Sequence, residues 1–405
     1  MKKGLQHAKR LALGVSLLAG AASSHAQTSV TLYGIVDNAL TYSSNETTLG
    51  STSNGHSNFK MSQGAWIGSQ FGLKGSEDLG GGLSAIFLLV NRFNSANGAA
   101  QFPGAAFAQQ SYVGLADKKL GTVTMGRGFT SYYWMLAPYS PTKYLTGFTG
   151  AHPGDIDNLD TDYKTSNTVR YISPTVSGVT FSGDYSLGGV PGCMNCGASW
   201  SVGANYIANS FGIAAAVERF NNSNSQGGAW GANSTATTNG QQGVSALTNG
   251  FQTAAAQQRF AVTGGYTFTD KVDVQFAYSN VQYIPGVASS FRNLAIWNTV
   301  GVVGHYKPTP FFDVAAGYSL TRATSSNGIK DPAKYQQIAL SQYYSLSKRT
   351  GLYSVQAYQH ATGQTLGSNG VSIINATATV GDGFNGSPSA GPSQFVVTAG
   401  LVHRF

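Results

Sequence analysis

From residue 28 to the last residue the chain repeats one device: a short run alternating apolar and polar residues, then a break. Alternation at period 2 marks a strand with one apolar face, whereas a helix would repeat at about 3.6 residues. The pattern predicts sixteen strands, at 28–43, 62–75, 83–93, 107–116, 122–128, 166–174, 179–187, 199–208, 211–220, 258–268, 272–282, 292–306, 311–320, 335–346, 351–361 and 394–405.

The breaks are sorted by length. Tight ones ("GSEDLGGG", "DKKLG", "SPTVSG", "ANS", "TDK", "KPTP", "SKRT") alternate with long polar ones at 44–61, 94–106, 129–165, 188–198, 221–257, 283–291, 321–334 and 362–393. A transmembrane β-barrel sorts its connections this way, with short periplasmic turns and long external loops. A soluble sandwich has no reason to. The expected fold is therefore all-β, a 16-stranded antiparallel transmembrane β-barrel.

The ends of the chain fit a closed wall. "FVVTAGLVHRF" (395–405) carries Phe395, Val397, Ala399 and Leu401 on one face, with Phe405 in phase, and "SVTLYGIVDNALTY" opens the first strand. Pairing first strand with last removes the open edge that lipid cannot satisfy. Phe405 then belongs to the aromatic girdle at the periplasmic interface.

Residues 1–26 read as a secretory signal peptide: Lys2, Lys3, Lys9 and Arg10, a short apolar run, then Ser24-His25-Ala26. That run is too short to span a bilayer as a helix. Residues 27–405 form the expected barrel domain. Cleavage removes four of the 24 Lys+Arg and none of the 16 Asp+Glu, so the mature balance is 20 − 16 = +4. Nothing in that balance calls for nucleic acid. Charged residues make up 10% of the chain, against about 25% in soluble domains. A surface that faces lipid accounts for the shortage.

Parity separates the faces. Phe71, Leu73, Val169, Tyr171, Leu340, Tyr344 and Leu346 look outward, while Gln70, Lys74 and Arg170 look inward. A charge on the lipid face near the midplane costs about 2–4 kcal/mol, which favours the lumen for Lys74 and Arg170.

"GLKGSEDLGGGLSAIF", "SYVGLADKKLGTVTMGR", "SNTVRYISPTVSG", "YYSLSKRTGLY" and the closing "GLVHRF", with the first strand, are similar to segments of the trimeric general porins of β-proteobacteria. They follow in chain order over essentially the whole sequence. The resemblance implies a homotrimer in the outer membrane, in contact with lipid and lipopolysaccharide. It also implies Phe405 as C-terminal assembly signal, no enzyme activity, no cofactor, and a third loop (129–165) folded into the lumen as a constriction. The expected function is passive diffusion of small hydrophilic solutes and ions, anion-preferring at most weakly.

For the constriction the resemblance points to a basic wall: Lys74, Arg127 and Arg170, with Arg92, Gln70 and Gln110 beside them. Arg127 is out of step, since alternation places it with Val123 and Met125. Gln70, Gln109 and Gln110 stand where the family often has arginine, and Leu88 and Val90 point inward. The lumen should be less charged than usual for the family. Selectivity by lining charge is the functional reading; salt-bridging without effect on permeation is the bland one.

Loop 3 carries Tyr132, Tyr133 and Trp134, and further on Asp155, Asp157, Asp160 and Asp162. The aromatics either pack the loop on the wall or offer stacking to a ring-bearing acid, the basis of an alternative substrate-preferring porin. The carboxylates either face the basic wall across the pore or form a solvated turn. Cys193 and Cys196, in "CMNC" of an exported chain, are disulfide candidates rather than metal ligands. A surface adhesin or an outer-membrane barrel hydrolase is the alternative of another class, although spacing assigns no catalytic triad.

Overall fold

A strand whose one face must meet lipid and whose edges must be paired leaves closure as the stable solution, and the chain closes. The computed structural model describes residues 29–102, 104–160, 163–230, 244–382 and 385–405; the expected signal peptide and Asp162 lie outside these. The staves are β1 (Ser29–Glu46), β2 (His56–Gln63, resuming as Gln70–Gly80), β3 (Leu83–Arg92), β4 (Gln110–Asp117), β5 (Gly121–Phe129), β6 (Lys164–Ile172), β7 (Val179–Ser186), β8 (Ser199–Ala208) and β9 (Phe211–Asn221). The circuit continues with β10 (Ala256–Thr269), β11 (Val272–Ile284), β12 (Ala295–Thr309), β13 (Phe312–Ala323), β14 (Lys334–Ser345), β15 (Thr350–Thr362) and β16 (Ser393–Arg404).

Each stave pairs antiparallel with the next. β1 closes the ring on β16, in register from Ile35 opposite Arg404 to Ser43 opposite Val396. The seam runs on into the last residue: Phe405 N–H donates to the Gly34 carbonyl at 3.0 Å and Gly34 N–H to that of Phe405 at 3.1 Å.

Alternation holds around the wall. In β9, Phe211 and Ile213 are exposed while Ala214, Ala216, Glu218 and Phe220 are buried inward. Leu32, Phe59, Met61, Val113 and Ile338 lie bare on the outside. Tyr206, Phe211, Tyr266, Phe268, Tyr306 and Phe405 are exposed close to the short turns or the chain end, forming the girdle expected there.

One stave departs from the expected continuous run. β2 begins at His56 and leaves the wall between Gln63, which pairs with Asn38, and Gln70, which pairs with Ile35. Residues 64–69 thus stand against only Val36 and Asp37. Gly64, at φ 67°, makes the turn a side chain would resist. The freed N–H groups of Trp66 and Ile67 donate to the Asp37 carboxylate at 2.7 and 2.9 Å.

The lumen is not an open cylinder. Loop 3 lies inside it, with Tyr132, Leu136 and Leu159 packed on Ala214, Ala216, Ala261 and Ala277. Small inward residues on β8 to β13 make the room. A Cβ at Gly212 would stand 1.7 Å from the Tyr139 hydroxyl, and one at Gly301 2.4 Å from the His152 ring.

Candidate permeation pathway and its walls

Loop 3 leaves β5 through a short helix, α1 (Ser131–Leu136), capped by the Thr130 hydroxyl, which accepts the Tyr133 N–H. Its polar backbone, inside a barrel and short of water, needs partners, and the wall provides them. Thr263 donates to the Leu136 carbonyl at 3.0 Å, Ser341 to that of Tyr144 at 2.6 Å, and the Gln337 amide to those of Thr149 and Ala151 at 2.9 and 3.0 Å.

A buried charged cluster pins the far side of the loop. Arg259 Nε donates to the Ile156 carbonyl at 2.8 Å, and its Nη1 lies 3.8 Å from Glu218. Glu218 also accepts from Thr130 at 3.0 Å and from the Asn158 amide at 3.0 and 3.1 Å. The Arg259 and Glu218 side chains are both fully buried. A buried charge is tolerated there when it is both paired and hydrogen-bonded, and Thr130 and Asn158 supply those bonds to Glu218.

The expected acidic face of the loop divides. Asp155 is buried and accepts the Asp160 N–H at 2.9 Å. Asp157 is fully buried and accepts from Ser279 at 2.6 Å, with His152 Nδ1 also 2.6 Å away. Burial pushes the Asp157 carboxyl up, but the charge and hydrogen bond of His152 outweigh it and hold it below the usual range. Ser279 donates to the carboxylate rather than to the imidazole, so these three do not form a nucleophile–base pair. Asp160 alone of the described three reaches the open lumen, where it meets Asp382 of loop 8, the long connection at 362–393.

The open space beside loop 3 is a cavity of about 450 Å³. Gln70, Arg92, Gln110 and Arg404 border it from the staves, Tyr133, Lys143 and Asp160 from loop 3, and Asp382 from loop 8. Desolvation pushes the Asp160 carboxyl up to about 7, helped by the neighbouring Asp382 charge and opposed by Arg92 and Lys164. Desolvation lowers the Lys143 ammonium, against the pull of Asp273.

Gln70, Arg92 and Gln110 therefore lie together, the first two in the inward phase that alternation gives them. Lys74 faces inward, opposite Thr31 and Leu88, but stands nearer the short turns, over the Tyr33 ring, away from the cavity. Arg170 also points inward, opposite Asp184, yet is buried. Its Nη1 donates to the Phe129 carbonyl at 2.9 Å, with the rings of Tyr112 and Trp134 about it. It braces the root of loop 3. Arg127 lies opposite Ser111, in the outward phase of Val113 and Met125. Its guanidinium donates to the Ala108 carbonyl and to Ser166 at a bulge, so it does not join the basic wall. Tyr132 is buried packing, with its hydroxyl donating to the Asp157 carbonyl at 2.8 Å. Cys193 and Cys196 are joined in a disulfide.

Three charged lining residues escaped sequence reasoning: Lys143, Arg404 and Asp382. Arg404 was within reach, since it shares the inward phase of Thr398 and Val402. Lys143 and Asp382 sit on loops, where no periodicity orients a side chain.

A family model described as Gram-negative porin matches residues 12–364. The chain belongs to that family of outer-membrane channels. Relatives of this porin include an outer membrane porin protein of Bordetella pertussis, 35% identical over 190 residues. That match spans 44% of this chain and 48% of the relative, about half its length. Outer membrane porin protein 32 of Delftia acidovorans is 26% identical, over 98% of this porin and 100% of its own length. Among solved structures, the anion-selective porin from Comamonas acidovorans has the same fold. Its TM-score is 0.67 at 21% identity, covering 93% of this chain and 100% of that one. The trimer form of in-vitro folded OmpT from Vibrio cholerae follows at TM-score 0.61 and 15% identity, covering 93% and 99%.

Proposed function

We propose that this porin conducts small hydrophilic solutes and ions passively, as a homotrimer, with a mild preference for anions. The observation that carries the preference is the unequal charge around the 450 Å³ cavity. Arg92, Lys143 and Arg404 border it against Asp160 and Asp382, and the raised Asp160 carboxyl is protonated for much of the time near neutrality. A lining with surplus positive charge attracts anions and repels cations. Glutamines at 70 and 110 keep the surplus small. The name of the Comamonas porin, anion-selective, supports the sign, and the trimer form of the Vibrio OmpT supports the assembly.

The test is the reversal potential of the purified protein in a planar bilayer under a salt gradient. The expected potential has the sign of anion selectivity; cation selectivity would overturn the charge argument. Trimer assembly is checked by mass in detergent. A well-folded barrel that passes no current would favour the adhesin or hydrolase reading.

A further inference from the structure

The excursion of β2 brings more than a kink. Asp37, fully buried, takes the N–H groups of Trp66 and Ile67 on one carboxylate oxygen and the Tyr353 hydroxyl on the other. Ser69 adds a hydroxyl bond to the Asp37 carbonyl at 3.1 Å and accepts the Asp37 N–H at 3.0 Å. This clamp holds one indole inside the lumen. The Trp66 ring lies 4.7 Å from that of Tyr343 and 5.4 Å from that of Tyr353, and is only partly buried.

Past Trp66, toward the short turns, lies a second cavity of about 600 Å³, bordered by Pro310, Phe311, Ser345 and Lys348. Trp66 and Arg404 are the two residues that border both cavities. Arg404 is steadied by Tyr343, whose hydroxyl accepts its Nη1 at 3.3 Å. A solute moving from one space to the other passes an indole and a guanidinium.

Resting on the porin reading above, we propose that Trp66 and Arg404 form an inner filter in series with loop 3, favouring flat aromatic carboxylates. The guanidinium takes the carboxylate through charge-assisted hydrogen bonds, and the indole takes the ring. Lys143 on the loop side and Lys348 on the turn side offer positive charge before and after the filter. Binding at such a point speeds passage only if it is weak and followed by another site, an arrangement that two cavities in series supply.

The probes are benzoate and cyclohexanecarboxylate, equal in charge and near in size but differing in flatness. Their permeability ratio is read from reversal potentials of the full-length protein in a planar bilayer. For the wild type, the expected ratio is about three in favour of benzoate, the scale of one aromatic contact. Trp66→Leu should bring the ratio to about one and raise chloride conductance as the bore widens. Trp66→Phe keeps a ring and should retain most of the preference. Arg404→Gln should slow both acids alike. A wild-type ratio of one, or a ratio unchanged in Trp66→Leu, overturns the filter, and the wild-type measurement stands even where a variant fails to fold. Absence of chloride current in the wild type would overturn the channel reading itself, a separate outcome.

Discussion

Asp37 Oδ2 accepts the backbone N–H of Trp66 at 2.7 Å, tying a residue that has left the wall to one that stays in it. The bond stands in for the ladder pairing that β2 gives up between Gln63 and Gln70. Asp37→Ala removes the acceptor for Trp66, Ile67 and the Tyr353 hydroxyl together. Leaving such donors unmet costs about 1–3 kcal/mol. The expected outcome is a lower thermal midpoint, with larger and noisier single-channel currents as the excursion loosens. Unchanged currents would mean that the excursion does not border the bore.

Loop 3 should come away when its buried ion pair is broken on one side. Arg259→Met leaves the Glu218 carboxylate buried without its cation, still accepting from Thr130 and Asn158. Removing one member of a buried pair costs about 3–5 kcal/mol. The double change Arg259→Met with Glu218→Gln should recover part of that loss. Thermal scans in detergent give the stabilities. Conductance should rise in the single variant and fall back in the double.

Asp160 gives the pore a pH dependence whose sign is fixed. Its folded value, about 7, lies above the ordinary 3.8. The folded protein therefore holds a proton that the unfolded chain would release. Its stabilising effect on the contact of loops 3 and 8 is full below about pH 4 and is lost as pH rises through about 7. Above that, the cavity gains a negative charge and anion preference weakens. Reversal potentials taken from about pH 5 to about pH 9 should show the decline, and Asp382→Asn should move it to lower pH.

The seam offers a fourth test. A Cβ at Gly34 would stand 2.2 Å from Cζ of Phe405, whose ring covers that glycine. Gly34→Ala pushes the half-exposed ring aside and uncovers the seam. Slower folding into detergent micelles, followed by the gel shift between folded and unfolded forms, is the expected result. Gly304→Ala, where a Cβ meets nothing within 4 Å, serves as the control.

The legible part of this protein is the part governed by parity. Leu88, Val90 and Arg92 face inward because Phe87, Leu89 and Asn91 are one residue out of phase with them. The same rule exposes Arg127 as a misfit for the wall. The break in β2 left a faint trace, since Gly64 and Gly68 bracket "AWI" and interrupt the alternation. Loop side chains had no such rule. Asp155 and Asp157 turned to the wall and Asp160 to the bore, though all three share one polar stretch.

By itself the sequence determined the wall: sixteen staves, their order, which face meets lipid and where the ring closes. Strand periodicity and the need to pair every edge in a bilayer are local rules, readable along the chain. Only the tertiary structure decided the bore. Whether a charge lines it depends on contacts between residues far apart in sequence, such as Arg259 with Ile156, Asp160 with Asp382, and Arg404 with Tyr343. Those contacts follow from how a folded loop and a bent stave share one confined volume, and no period in the chain encodes that.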